Sequence, residues 1–267
     1  MRSAGIGMLR ACVAAPLLVV AGACSPVPPF GAQGLVAPAT FPSRADLDPA
    51  SACVSRPDPA NGGDPAPPDG VVAAGDPADP AGVVAIEVVG LGELVLPSGQ
   101  LVVDDLFFLG GGPNDLEAID LDGFAGNADV CLHLAHYATA DERVAFVHVR
   151  LSDKPVATWV EAGGFGVDSG TGGIASTEAV AAVVSGEEGL VEQYLDELDR
   201  HDVNTWSWLN VETDAATGAN IIGFSTGFGD GGYPVALGRD VDGRPASVVI
   251  DHVVVPWAWL SRVGPVT

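Results

Sequence analysis

Short runs rich in Val, Ile, Leu and Phe, separated by turn-forming residues, dominate the chain from about residue 84 onward. Such runs, four to ten residues long, are the pattern of strands. VVAIEVV (83–89) and ELVLPSGQLVV (93–103) read as two short strands, with Pro-Ser-Gly at 97–99 as turn chemistry. DVCLHLAHY (129–137) and RVAFVHVRLS (143–152) read as longer strands joined by ATADE, and VATWVEAGG (156–164) as a strand or a short helix. The period then changes. Residues 177–200 carry Ala, Leu and Glu at helical spacing, with Thr177 as N-cap, Glu178 in the first turn, and Gly186 dividing the stretch into two helices. WSWLNVET (206–213), ANIIGFS (219–225), YPVALG (233–238) and ASVVIDHVVV (246–255) return to strands. The expected fold class is α+β, predominantly antiparallel β with one helical insertion, in a single globular domain over residues 84–267. That length can bury a good core.

The first 83 residues follow a different logic. Arg2 and Arg10 flank the uncharged run ACVAAPLLVVAGA (11–23), which is shorter than the roughly 20 apolar residues a membrane-spanning helix needs. Residues 1–23 therefore read as an export signal. Its end, Ala21-Gly22-Ala23-Cys24, resembles a bacterial lipobox, which makes Cys24 the lipid-modified first residue of a chain anchored at the outer face of the cell membrane. Plain secretion with cleavage near Ala23 is the alternative. Residues 24–83 form a Pro/Ala/Gly/Asp-rich linker: positions 25–82 hold 13 of the 21 prolines. Such a sequence cannot bury enough apolar surface to fold alone and acts as a semi-rigid spacer. Of the four cysteines, Cys12 leaves with the signal and Cys24 takes lipid, so Cys53 and Cys131 remain as a pair in a disulfide-permissive compartment. The alternative is a buried Cys131 and an unpaired Cys53.

Charge narrows the partners. The chain has 11 Lys+Arg and 35 Asp+Glu; removing Arg2 and Arg10 with the signal gives 9 − 35 = −26. Such a surface repels phosphate backbones and excludes nucleic acid as a partner class. It also repels anionic headgroups, so membrane attachment must come from the lipid at Cys24. The partner of the folded domain is a protein or a small molecule of unknown identity.

Three loops carry candidate chemistry. GFSTGFGDGGYP (223–234) lies between two strands, with five glycines around Asp230 and Tyr233. It lacks the GKS/GKT end and following helix of a phosphate loop. Either it is a glycine-rich connection, or Asp230 and Tyr233 stand on the lip of a ligand or cation pocket. GRDVDGR (238–244) contains Asp240 and Asp242 beside Gly243. Asp-Gly is a hairpin signal, and Asp-x-Asp-Gly is half of a calcium loop without the later ligands; Asp230, Asp240 and Asp242 are the candidate calcium ligands. GFGVDSGTGG (164–173) is similar to the active-site turn of aspartic proteases, with Asp168 as the acid. That chemistry needs two facing carboxylates, and one turn per chain would require a symmetric dimer. No zinc-ligand spacing or GxSxG elbow occurs among the five histidines and the serines. Trp206 with Trp208, and Trp257 with Trp259, share strand faces and are read as core or as a sugar-stacking platform.

The order PSGQ (97–100) with Asp105, VDSGTG (167–172), FSTGFGDGGYP (224–234), Gly238, Asp242-Gly243 and VVID (248–251) resembles a bacterial family of uncharacterised domains, number 4241 in the domain-of-unknown-function series. Asp168, Gly170, Gly229, Asp230, Gly231, Tyr233 and Asp251 match positions typical of it. The chain departs at Asp104-Asp105-Leu106, where the family tends towards Cys-Asp-Pro, and at Ala236-Leu237, where aromatic residues are usual. The resemblance implies no activity. Convergence of Asp168, Asp230 and Asp251, with Tyr233 nearby, would give an acidic pocket for a cation or an amine. The first functional reading is a surface-anchored, non-enzymatic binding or interaction domain. The second is an envelope hydrolase, metal-dependent or aspartic-type through Asp168, and the third a structural spacer.

Overall fold

A computed structural model of the protein describes residues 83–109, 118–137, 139–185, 189–203 and 205–255. Residues 1–82, to which the expected export signal, Cys24 and the linker with Cys53 were assigned, and Trp257 and Trp259 lie outside the described residues. The elements, in chain order, are β1 (Val83–Leu96), β2 (Gln100–Asp105), β3 (Ile119–Asp120), β4 (Gly126–Tyr137), β5 (Glu142–Arg150), β6 (Thr158–Val167), β7 (Thr171–Ser176), α1 (Thr177–Ser185), α2 (Leu190–Arg200), β8 (Trp208–Asp214), β9 (Ala219–Ser225), β10 (Gly231–Arg239) and β11 (Pro245–Asp251). They build two sheets, β1-β4-β5-β11-β10-β6 and β3-β2-β7-β9-β8, with antiparallel pairing throughout. The architecture is a β-sandwich with two helices, the expected class.

Within the five-stranded sheet β7 and β9 are buried on both faces, which explains why β9 reads as a nearly continuous apolar run. Leu101, Ile174 and Ile222 face the other sheet and join Leu132, Leu134, Val147, Val149, Val248 and Ile250 in the inter-sheet core. Their chain neighbours Val102, Ala175 and Ile221 face the helices, packing with Ala179, Val180, Tyr194 and Leu198. Burying each of the larger of these side chains contributes about 1.5–3 kcal/mol. A third cluster, with Ala135, Tyr137, Phe146 and Val249, lies on the outward side of the six-stranded sheet.

Several local outcomes differ from the sequence reading. The run expected at 83–89 and the first part of the run expected at 93–103 form one strand, β1, with a register shift between Gly90 and Gly92; the irregularity bends the strand without ending it. Residues 158–167 are strand and not helix. The N-cap of α1 is Ser176, whose Oγ accepts the Ala179 amide at 3.1 Å, one residue before the expected Thr177. The turn after β1 requires glycine: Gly99 has φ +73°, and a Cβ there would stand 1.8 Å from the Phe124 carbonyl oxygen.

Beta1 is an edge strand, and edge strands expose unpaired backbone groups. Here side-chain amides from the other sheet satisfy them. Asn220 Oδ1 accepts the Val95 amide at 2.8 Å, and its Nδ2 donates to the Glu93 carbonyl at 2.8 Å and to Asn210 Oδ1 at 2.6 Å. Asn210 Nδ2 donates to the Leu91 carbonyl at 3.1 Å. The two asparagines thus fasten the sheets together where no strand pairing does.

Candidate functional site

The candidate loops meet at one end of the sandwich, and a buried carboxylate organises them. Asp105 closes β2 and is 2% exposed. Its Oδ2 accepts the amides of Asp168 and Ser169, both at 2.9 Å, and its Oδ1 accepts the Ser169 hydroxyl at 2.8 Å and the Phe107 amide at 3.0 Å. Four donors around one carboxylate compensate its burial. The Asp168-Ser169-Gly170 turn between β6 and β7 is thereby fixed from a third strand. The Thr226 amide donates to the Gly170 carbonyl at 3.1 Å, which joins this turn to the glycine-rich loop.

That loop is built around Tyr233. The Gly229 amide donates to the Thr226 carbonyl at 2.6 Å, and Thr226 Oγ1 donates to the Gly229 carbonyl at 2.9 Å. The Tyr233 hydroxyl donates to the Thr226 carbonyl at 3.2 Å and also contacts the Gly229 carbonyl. Its ring packs edge-on against His252, with centroids 5.0 Å apart, and beside Phe165 at 5.9 Å. Tyr233 is 5% exposed, and burial pushes its phenol pKa up. The expectation that it stands on a pocket lip is therefore corrected: a phenol inside the loop replaces the inter-strand partners that the turn's carbonyls lack. Gly227, at φ +48°, could not carry a Cβ without placing it 2.8 Å from Val254 Cγ2.

The acids separate into three places. Gly231 on β10 pairs with Val167 on β6, and Asp230 and Asp168 each lie one residue beyond that last pair, outside the strands. Both are exposed. Asp251 ends β11, and its Oδ1 accepts the Val253 amide at 2.7 Å. The Val235–Ile250 pairing places Asp251 level with Pro234, four residues from Asp230, or about 13 Å along a strand. Asp251 therefore stands apart from Asp230. Asp240 and Asp242 lie beyond the other end of β10, roughly 30 Å from Asp230 at strand spacing, so the three acids expected to share a calcium ion are not one site. Asp240 Oδ1 accepts the amides of Asp242 and Arg244 at 2.8 and 2.9 Å, and Lys154 Nζ lies 2.9 Å from Asp240 Oδ2 and 2.7 Å from Asp242 Oδ2. The Lys154 ammonium, followed by the Arg244 amide, holds the Asp240 carboxyl below the usual carboxylate range. This is a hairpin turn neutralised by a lysine. Among the described residues, no group of three or more His, Cys, Asp or Glu is arranged to hold a metal ion.

Other polar constellations have no counterpart in the sequence spacing because their members come from different strands. His136 Nε2 is 2.8 Å from Glu87 Oε2 and its Nδ1 3.4 Å from Glu142 Oε1. Trp206 Nε1 donates to Glu142 Oε2 at 2.8 Å. Trp206 is 2% exposed, and Trp208 stacks on His201 with centroids 4.1 Å apart, so these two do not form a stacking platform together. On the outward side of the six-stranded sheet, His148 Nε2 lies 3.0 Å from Ser247 Oγ. Burial pushes His148 down to about 3 and His133 to about 4. His252, held by Nδ1 at 3.0 Å from the Val144 carbonyl, is pushed by burial to about 4. Cys131 is buried and disulfide-bonded.

Residues 94–250 match the family described as protein of unknown function (DUF4241), more than half of the chain, so the chain belongs to that family. No curated protein and no solved structure matches it. The matched span includes Asp105, both turns and Tyr233.

Proposed function

We propose that this member of the family is an exported binding or interaction domain without catalysis of its own, anchored at the outer face of the cell membrane through lipid on Cys24. One observation supports the reading. The polar groups of the two turns bind one another and Asp105, while Asp168 and Asp230, each one residue beyond the Val167–Gly231 pair, are exposed. Two such exposed carboxylates suit a cationic group, either a divalent cation such as calcium or an amine. The test is thermal unfolding of the exported chain in chelator, then with millimolar calcium and, separately, a small amine, alongside Asp230→Ala. A ligand at about 100 times its Kd stabilises by roughly 2.7 kcal/mol. A Tm rise lost in the variant supports these acids as the site. Equal Tm in every condition sinks the cationic ligand. The mass of the N-terminal peptide reports the anchor, since an acylated Cys24 distinguishes it from plain secretion.

The register favours one second reading. The β6–β10 pairing would let Asp230 bring a second carboxylate towards Asp168 within one chain, whereas the sequence suggested that a second copy would be needed. An aspartic-type hydrolase would show peptide cleavage with an acid optimum, abolished by Asp168→Asn. The exposure of both acids weighs against it, because a shared proton needs a low-dielectric setting.

A further inference from the structure

We propose that the outward face of the six-stranded sheet is the docking surface for the chain's own proline-rich linker, fastened there by a disulfide between Cys53 and Cys131. The inference begins with the bond itself. Cys131 is disulfide-bonded, and it is the one cysteine among the described residues; the other three are Cys12, Cys24 and Cys53. All three precede β1, so an intramolecular bond ties the N-terminal segment to β4. The choice of Cys53 rests on the export reading, in which Cys12 leaves with the signal and Cys24 carries lipid.

The place of attachment supports a cover. Val130 and Leu132 point into the inter-sheet core, so Cys131 between them points outward. It pairs with His148 on β5 and Gly90 on β1. His133, Phe146, His148 and Val249 share this face and are 7%, 0%, 3% and 0% exposed. The two helices contact the five-stranded sheet and leave this face to other parts of the chain. His133 Nε2 is buried here with no hydrogen-bond partner among the described residues, and a buried polar atom without a partner is costly. A linker laid over Cys131 brings backbone groups within reach of it.

Chain length permits the path. Twenty-nine residues, 54–82, separate Cys53 from Val83, and in an extended proline-rich form they span about 90 Å. Cys131 is level with Gly90, seven residues along β1 from Val83, or about 23 Å. The linker therefore has slack to fold back across the sheet. The bond forms when two thiols pass two electrons and two protons to a disulfide-bearing oxidant of the export compartment. Its consequence is geometric: the free tether runs from Cys24 to Cys53, half the length of the linker.

The full exported chain tests this by non-reducing digestion and mass spectrometry, with hydrogen exchange measured on the oxidised protein, the protein reduced with dithiothreitol, and Cys53→Ser. The expected result is a Cys53–Cys131 linked peptide and at least tenfold slower exchange within residues 54–82 in the oxidised form. Reduction serves where the variant fails to fold. Acylated Cys24 with free Cys53 and Cys131 thiols overturns the latch and leaves the anchor standing; a Cys24–Cys131 pair overturns both. A disulfide-linked dimer, or equal exchange in 54–82 with and without the bond, also overturns the docking.

Discussion

Asp105 and Ser169 are joined twice: the Ser169 amide donates to Asp105 Oδ2 at 2.9 Å and its hydroxyl to Oδ1 at 2.8 Å. A residue that ends one strand thus sets the turn between two others. The same carboxylate takes the Asp168 amide, so the backbone of the most acidic-protease-like stretch is spent on structure while the Asp168 side chain is left at the surface.

Removing that carboxylate strands its donors. Asp105→Ala leaves three backbone amides and a hydroxyl without their acceptor, beneath the turn. Each buried unsatisfied group costs about 1–3 kcal/mol, so a loss of at least 3 kcal/mol is expected in urea unfolding. Ser169→Ala, which removes one donor and keeps the acceptor, should cost about 1 kcal/mol. Equal losses for the two variants would contradict the central role of Asp105.

Tyr233 makes a comparable prediction for the glycine-rich loop. Tyr233→Phe keeps the packing on His252 and Phe165 and removes the hydroxyl that binds the Thr226 carbonyl. The expected cost is about 1 kcal/mol, a Tm fall of roughly 2–4 °C for a domain of this size. A ligand site with Tyr233 on its lip would instead give an unchanged Tm and a lost ligand response.

Strand identity was legible where burial and turn chemistry agree. ANIIGFS is β9 from end to end, because both its faces are buried and an apolar run is what that requires. The helical insertion was legible from its period. Beta3 was not, since two residues carry no pattern. The site was legible as motifs and not as an arrangement: only the β6–β10 register brings the turn of Asp168 and the loop of Asp230 to the ends of paired strands, and Asp240 is removed from Asp230 by the length of β10. The roles of Asn210 and Asn220 carry no sequence signal, because nothing in local sequence shows that another sheet's edge lies against them.

Those asparagines carry their own test. Asn220→Ala removes the acceptor of the Val95 amide and the donor to the Glu93 carbonyl, at an expected cost of about 2–4 kcal/mol. Asn220→Asp keeps the acceptor and sets a carboxylate against the Glu93 carbonyl and Asn210 Oδ1, so it should fare no better. Urea unfolding of the two variants checks this; a near-native Asn220→Asp would mean that the donor half of the bridge is idle.

The buried imidazoles predict an acid limit to stability. His133 and His252 are pushed by burial from 6.5 to about 4, and His148 to about 3, the last also by the nearby His133 and Arg150 charges. Below pH 6.5 the unfolded chain takes up a proton at each, and the folded chain does not until about pH 4 or 3. Protonation therefore favours unfolding. The stability associated with neutral imidazoles is complete above pH 6.5 and is lost as pH falls from there to about 4, with His148 extending the loss to about 3. Three such groups together give a slope of roughly 4 kcal/mol per pH unit in the middle of that window, against a total of about 5–15 kcal/mol for a domain. The protein should thus lose much of its stability between pH 6.5 and 4. Urea unfolding at pH 7.5, 6.5, 5.5 and 4.5 measures the slope, and His133→Gln should reduce it by about a third. A stability that stays level from pH 6.5 to 4.5 would mean that water reaches these rings and that the outward face of the six-stranded sheet is open.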